Sequence, residues 1–510
     1  MGVFSSLRKI SQRWNMSVAV QPSTALTVPQ LLQARAQAMP EHVPLQVLAG
    51  AGLSYQAWLD QSDAAAASLY QAGARCGTRI ALLFDGLDWL DYAVGYMAVL
   101  RCGATAIHMN GHMPEAETMR RLAECECSWI IRSSFLPKPH GFLGKSATVA
   151  ELLRGSAPLP DITIEPSSIA EIRYTSGTTG PAKGYLVSHD NLTHGRSLDA
   201  MRELSNASSM LVPMTLGTST SATLLVIGAG SPVQMVLCSP LDIETMGELI
   251  EMQAISAFMI TPHIAQEVVE SRLGERYNLS SVKLVASASS PLSPGMASAL
   301  LAMMPAAKLQ IACAQSEASP ALLTQTYDPE RPFSVGKPSS NTEVRIIGAD
   351  HRDAPVGELG ELWLRTPAPK RLFLSAPETN AKLLEDGWYR TGDLGRMDSA
   401  GYIEFFDRKV DALLRDGQLI SSIHLEASML EQAAVREAAV VTIGTGTDDS
   451  KIVAFVVLRE PNALGGLKQG LAFVIPKEHF PDAFVVLSSL PRTQNGKVLK
   501  RELRLNVGIR

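Results

Sequence analysis

Tyr174 to Gly184 reads YTSGTTGPAKG, a segment rich in the groups that hold a polyphosphate. Gly177, Gly180 and Gly184 accept backbone angles other residues avoid, so successive N–H groups can turn toward one anion. Thr175 opens the loop, the hydroxyls of Ser176, Thr178 and Thr179 add donors, and Lys183 adds a charge. A GxxxxGK[ST] loop is excluded, because Gly177 and Gly180 stand three apart and Gly184 follows Lys183. A Gly/Thr-rich surface turn is the plainer alternative, but so many phosphate donors in one short loop favour a triphosphate site.

This segment resembles the signature loop of the adenylate-forming superfamily, which holds acyl- and aryl-CoA synthetases, adenylation domains of non-ribosomal peptide synthetases, and firefly luciferase. Further segments match that family in order. Cys313 to Glu317 (CAQSE) stands where the family has Tyr-Gly-x-Thr/Ser-Glu. The resemblance makes Glu317 a catalytic Mg²⁺ ligand and Ser316 the hydroxyl beside the α-phosphate. A hard oxygen donor suits Mg²⁺ on phosphates. Cys313 and Ala314 depart from the usual aromatic and glycine. Tyr389 to Gly395 (YRTGDLG) implies that Asp393 accepts the ribose hydroxyls, as a carboxylate can for a vicinal diol.

Gly401 to Glu426 resembles the hinge region, with Arg408 implied on ribose and phosphate and Gly417 beside an incoming pantetheine arm. The hinge position is Val410, where the family more often has a charged residue. Pro491 to Leu503 (PRTQNGKVLKREL) matches the closing motif and puts Lys497 in the place of the catalytic lysine. A positioned ammonium there would stabilise negative charge in the transition state. Lys183 and Arg408 complete the implied catalytic set. His189 and His263 lie outside these motifs and are expected to be structural.

The elements that must position these groups follow an α/β pattern from Ala25 onward. Arg79 to Phe84 (RIALLF) predicts a buried strand, Trp89 to Arg101 an amphipathic helix, and Ala104 to Met109 another strand. Ser128 to Arg132, Ser209 to Val212, Ser256 to Ile260, Lys283 to Ala286 and Lys308 to Ala312 repeat this texture, as parallel strands covered on both faces do. After Arg331, short strands at Val344 to Ile347, Gly360 to Arg365 and Tyr402 to Phe406 predict a β-rich subdomain. The expected organisation is a tail (1–24), a large N-terminal domain of stacked α/β subdomains (25–409), and a small mobile α+β C-terminal lid (410–510).

Composition narrows the function further. At 510 residues, with a net charge of −5, the chain shows no basic field for nucleic acid. No apolar run reaches membrane-spanning length. The six cysteines form no disulfide framework, which points to the cytoplasm. MGVFSS satisfies a myristoylation pattern, although an upstream tail is the preferred reading.

The resemblance implies ATP, Mg²⁺ and a small carboxylic acid as reactants, with the acyl group passed to coenzyme A or to the phosphopantetheine of a carrier protein. Transfer to an amine, and a non-catalytic relative that binds nucleotide or acyl ligand, stay open as alternatives. By position, the acyl pocket would involve Thr215, Gly217, Thr218, Ser287, Ser289 and Gln315. No aspartate stands near Gly217 to meet an α-ammonium, which argues against an α-amino acid. Small hydroxylated and apolar walls favour an aromatic or medium-length acid.

Overall fold

The computed structural model describes residues 25–175, 182–195, 208–383, 386–444, 451–493 and 495–506. The tail, with its myristoylation pattern, lies outside the described residues. So do Ser176, Gly177, Thr178, Thr179 and Gly180.

Arg79–Phe84 is a strand buried over Ile80 to Phe84, because helices cover both faces of its sheet. It runs parallel to Thr105–Asn110 on one side and Trp129–Arg132 on the other. Ile169–Tyr174 pairs parallel with Thr105–Asn110, then antiparallel with Gly184–Ser188, so the phosphate loop joins two adjacent strands of this seven-stranded sheet.

A second sheet of thirteen strands holds the other motifs. Ser209–Pro213, Ala257–Ile260, Leu284–Ser287 and Lys308–Cys313 run parallel in that spatial order. Leu323–Thr326, Ser334–Pro338, Ile403–Arg408, Tyr389–Met397, Gly360–Arg365 and Glu343–Ile347 continue it antiparallel, forming the β-rich part. The strand expected at Tyr402 to Phe406 extends to Arg408, because its polar end pairs with the Thr-Gly-Asp segment. The apolar stretch Thr223 to Ala229 lies within the helix Ser219–Gly230, which starts at a Thr218 cap.

The separate C-terminal domain is built on a sheet of Val435–Ile443, Lys451–Leu458 and Ala483–Val486. Its own core includes Leu413, Met429, Val440, Ala454 and Leu471.

One internal feature was not foreseen. Glu171 and Arg173 project from the same face of Ile169–Tyr174 and are both buried. Arg173 pairs with Glu171 through Nε, and its Nη1 donates to Ser219 O at 3.2 Å and Thr223 Oγ1 at 2.6 Å. The Tyr96 hydroxyl donates to the other side of Glu171. Burial pushes the Glu171 carboxyl up, but Arg173 and His108 hold it well below the usual range. This pair ties the strand that feeds the phosphate loop to the helices Trp89–Arg101 and Ser219–Gly230. Glu171→Gln would leave a buried guanidinium without its counter-charge. Urea unfolding is expected to show a loss of roughly 3–5 kcal/mol; a loss below about 1 kcal/mol would mean that water reaches Arg173.

Candidate active site

Antiparallel pairing sets Asp393 directly opposite Arg408, and their side chains approach to 3.7 Å. The turn before Asp393 depends on Gly392, whose φ of +74° suits glycine. The Thr391 hydroxyl accepts from the Asp393 N–H at 3.0 Å and donates to Leu362 O, which pins the segment. Asp393 is only 5% exposed, and Gln315 Nε2 donates to its Oδ2 at 2.5 Å. Gln315, expected in the acyl pocket, is therefore turned onto the candidate ribose carboxylate. Burial pushes the Asp393 carboxyl up to about 6, against Arg408 and Gln315, which favour its ionised form.

Lys497 reaches the same place from the C-terminal domain. Its loop is a tight turn: Gly496 N donates to Thr493 O at 2.9 Å, and Thr493 N to Lys497 O at 2.8 Å. The ammonium lies within the electrostatic reach of Arg408, Glu317, Asp393 and Cys313. Burial pushes Lys497 down to about 8, Arg408 adds to this, and the carboxylates of Glu317 and Asp393 oppose it. Cys313, where the resemblance expects an aromatic, faces the same group, its thiol pushed up to about 12 by burial and by Asp393. Glu317, Asp393, Arg408 and Lys497 thus converge from separate strands, loops and domains.

At the phosphate loop, Thr175 and Lys183 close the neck. Thr175 N donates to Lys183 O, and Lys183 N to Thr175 Oγ1, both at 3.1 Å. The Lys183 ammonium meets Glu378 at 2.6 Å and Thr379 at 2.9 Å. Sequence reasoning missed Glu378; no spacing rule links residues so far apart.

Glu317 lines a cleft of about 190 Å³ with Thr366, Lys370, Arg371 and Tyr389. Arg371 is buried, donating to Asn191 Oδ1 at 2.8 Å and to the Ser316 carbonyl at 3.0 Å. The Pro369-Lys370-Arg371 run was the available signal for this basic wall. Among the described residues no group of three or more His, Cys, Asp or Glu could hold a metal by itself. A single carboxylate beside basic side chains fits Mg²⁺ carried largely by phosphates and water.

The expected acyl-pocket residues follow strands that end on one edge of the large sheet. Thr215, Gly217 and Thr218 come after Ser209–Pro213, Ser287 and Ser289 at the end of Leu284–Ser287, and Gln315 after Lys308–Cys313. The carboxyl ends of parallel strands are where open α/β sheets place ligands. Within this group, Thr218 caps the following helix through Ser221 N. Gly217, with φ +70°, packs on the Met109 backbone, where a Cβ would lie 2.3 Å from the carbonyl. The Ser287 hydroxyl is buried with no hydrogen-bond partner among the described residues, and Ser289 is exposed at φ +91°. Gly417, with φ +76° and open space around it, forms the tip of the Leu413–Ile420 hairpin.

Residues 32–372 match the family model of the AMP-binding enzymes, and residues 424–497 match the model of their C-terminal domain. The chain belongs to the AMP-binding enzyme family. It is 26% identical over 513 residues to the medium-chain fatty-acid–CoA ligase of Escherichia coli K12, covering 93% of this chain and 89% of that one. It is 26% identical to 4-coumarate–CoA ligase 5 of Oryza sativa subsp. japonica, covering 86% of each. The o-succinylbenzoate CoA synthetase of Bacillus subtilis, solved with its acyl-adenylate, shares the fold at a TM-score of 0.83 and 22% identity, over 93% of this chain and 98% of that one. The same Bacillus enzyme has been solved with ATP and magnesium ion.

The charges in this AMP-binding enzyme set a pH dependence. The role expected of Asp393 needs its ionised form, so activity is expected to fall as pH drops through about 6. The role expected of Lys497 needs its protonated form, so activity is expected to fall as pH rises through about 8. A bell-shaped kcat/KM for ATP is expected, reporting the free enzyme. A flat alkaline limb up to pH 10, near the ordinary lysine value, would show that Lys497 is not held in this environment.

Proposed function

We propose that the chain activates a carboxylic acid with Mg·ATP, releases pyrophosphate, and passes the acyl group to the thiol of coenzyme A. The observation that carries this reading is the convergence of Asp393, Arg408, Glu317 and Lys497 across the two domains. In the first step a substrate carboxylate oxygen bonds to the α-phosphorus of ATP. The bond from that phosphorus to the bridging oxygen breaks, and pyrophosphate leaves with the electron pair. Asp393 accepts from the ribose hydroxyls. Arg408 and Lys497 balance the charge gathering on the phosphate, which counts for more where water is excluded. Glu317 would hold Mg²⁺, which screens the phosphates when bound. Loop residues 175–180 and Lys183 would grip the β and γ phosphates, with Ser316 beside the α-phosphate.

In the second step the thiol sulfur, giving its proton to solvent, bonds to the acyl carbon. The bond from that carbon to the phosphate oxygen breaks, and AMP leaves with the electron pair. The C-terminal domain, taken as 410–510, would swing about Val410, withdrawing Lys497 and presenting the Gly417 turn. Such lid movements commonly divide catalytic steps. A medium-length or aromatic acid is favoured by the small hydroxylated residues at Thr215 and Ser287, and by the acids named for the two CoA-ligase relatives. All six cysteines are free thiols, which supports a reducing compartment such as the cytoplasm. A carrier protein's phosphopantetheine arm presents the same thiol, and an amine could also take the acyl group.

Acid-dependent ATP–pyrophosphate exchange over acyl, aryl and amino acids tests the first step. Exchange is expected with medium acyl or aryl acids, and Lys497→Ala is expected to lower it roughly 100- to 1,000-fold. Exchange with none of them, from folded protein that binds ATP, would favour a binding relative. Adding coenzyme A, a carrier protein or an amine to the active acid then tests the acceptor. Amide formed without any thiol would replace the thioester reading.

A further inference from the structure

Lys497 belongs to the C-terminal domain but meets groups of the large domain, so its loop needs a seat there. We propose that the helix Pro262–Glu270 of the large domain is that seat, positioning Lys497 through a steric stop at His263 and an ionic latch at Glu267 and Glu270. The inference rests on reading Lys497 as the lysine of the adenylation step.

The helix divides cleanly between its faces. Ile264, Ala265 and Val268 are buried toward the sheet. His263, Gln266, Glu267 and Glu270 are spaced three, four and seven apart, so they share the opposite face. That face is turned to the C-terminal domain at both ends. At the amino end, the His263 ring packs against Gly496, where an added Cβ would lie 2.7 Å from His263 Cβ and 3.0 Å from its Cδ2. Gly496 has φ +79° and immediately precedes Lys497, so the stop acts one residue from the working ammonium. At the carboxyl end, Arg436 donates to Glu270 at 3.0 Å and to Glu267 at 3.1 Å, and Arg459 reaches Glu270 at 3.0 Å. Gln266 Nε2 donates to the Arg436 carbonyl at 2.7 Å.

The latch and the stop are mechanically joined. Glu437, next to Arg436, accepts from Arg492 Nη2 at 2.5 Å, and Arg492 Nη1 donates to the Gly496 carbonyl at 2.7 Å. A shift of Arg436 is therefore passed to the peptide that carries Lys497. Isolated surface ion pairs contribute little to stability, but a geometric role needs only that the network select one placement. Misplacing a catalytic group by about 1 Å can cost on the order of a hundredfold in rate.

The test compares the two half-reactions in the double variant Glu267→Gln/Glu270→Gln and, separately, in Gly496→Ala. The readouts are acid-dependent ATP–pyrophosphate exchange, transfer from supplied acyl-adenylate to coenzyme A, and the urea midpoint. Expected in both variants is a roughly 10- to 100-fold fall in exchange, mainly in kcat, with transfer from the supplied adenylate kept within about twofold. Unchanged exchange, or an equal loss in both half-reactions at an unchanged urea midpoint, overturns the seat. Should Gly496→Ala lose its fold, the isosteric double variant decides alone. Lys497→Ala runs beside them: if it keeps full exchange, the underlying reading fails instead of the seat.

Discussion

Removing an ionised group from water costs free energy that only a nearby counter-charge or hydrogen bond can return. At the junction of the two domains this applies to charges of both signs at once. Burial pushes Asp393 up to about 6 and Lys497 down to about 8, so each is drawn toward its neutral form. Arg408 and Gln315 hold Asp393 in check, while Glu317 and Asp393 do the same for Lys497. A site poised in this way favours an anionic ligand carrying hydroxyl donors. Its charges are strong because the surroundings are poor in water.

The architecture maintains that tension. Parallel strands deliver Cys313 to Glu317 and the expected acyl-pocket residues to one edge of a sheet. The antiparallel extension of the same sheet supplies Asp393 and Arg408 in fixed register. Lys497 alone must be brought from a domain with its own core. The large domain supplies fixed partners, and the swing proposed for the small one would withdraw the charge. The buried Glu171–Arg173 pair has a comparable part further back, holding the strand that enters the phosphate loop.

Much of this was legible in the sequence for identifiable reasons. Unbroken apolar runs such as RIALLF announce strands covered on both faces; Trp89 to Arg101 is the expected helix, but it is buried almost all round instead of amphipathic. Asp393 and Lys497 could be singled out because their segments resemble the family's motifs and stand in the family's order; the turns alone would read as ordinary surface turns. What could not be read depends on contacts between residues distant in the chain. Glu378 lies 195 residues from the lysine it meets. Gln315, expected in the acyl pocket by position, instead donates its amide to Asp393. Gly217 and Thr218 looked like pocket walls by position, but a backbone approach and a helix cap occupy them. The acidic face of Pro262–Glu270 reads as an ordinary solvated surface until the second domain is placed against it.

The claim on which the rest stands is that a carboxylate oxygen attacks the α-phosphorus. An acid that supports turnover, labelled with ¹⁸O in both carboxylate oxygens, tests this directly when incubated with ATP, Mg²⁺ and coenzyme A. Adenylation leaves one labelled oxygen in the AMP, read by mass spectrometry as a shift of about two mass units, because the P–O bond formed first is kept when the acyl carbon is attacked. Unlabelled AMP, or ADP accompanied by labelled inorganic phosphate, would place the attack elsewhere and contradict the account.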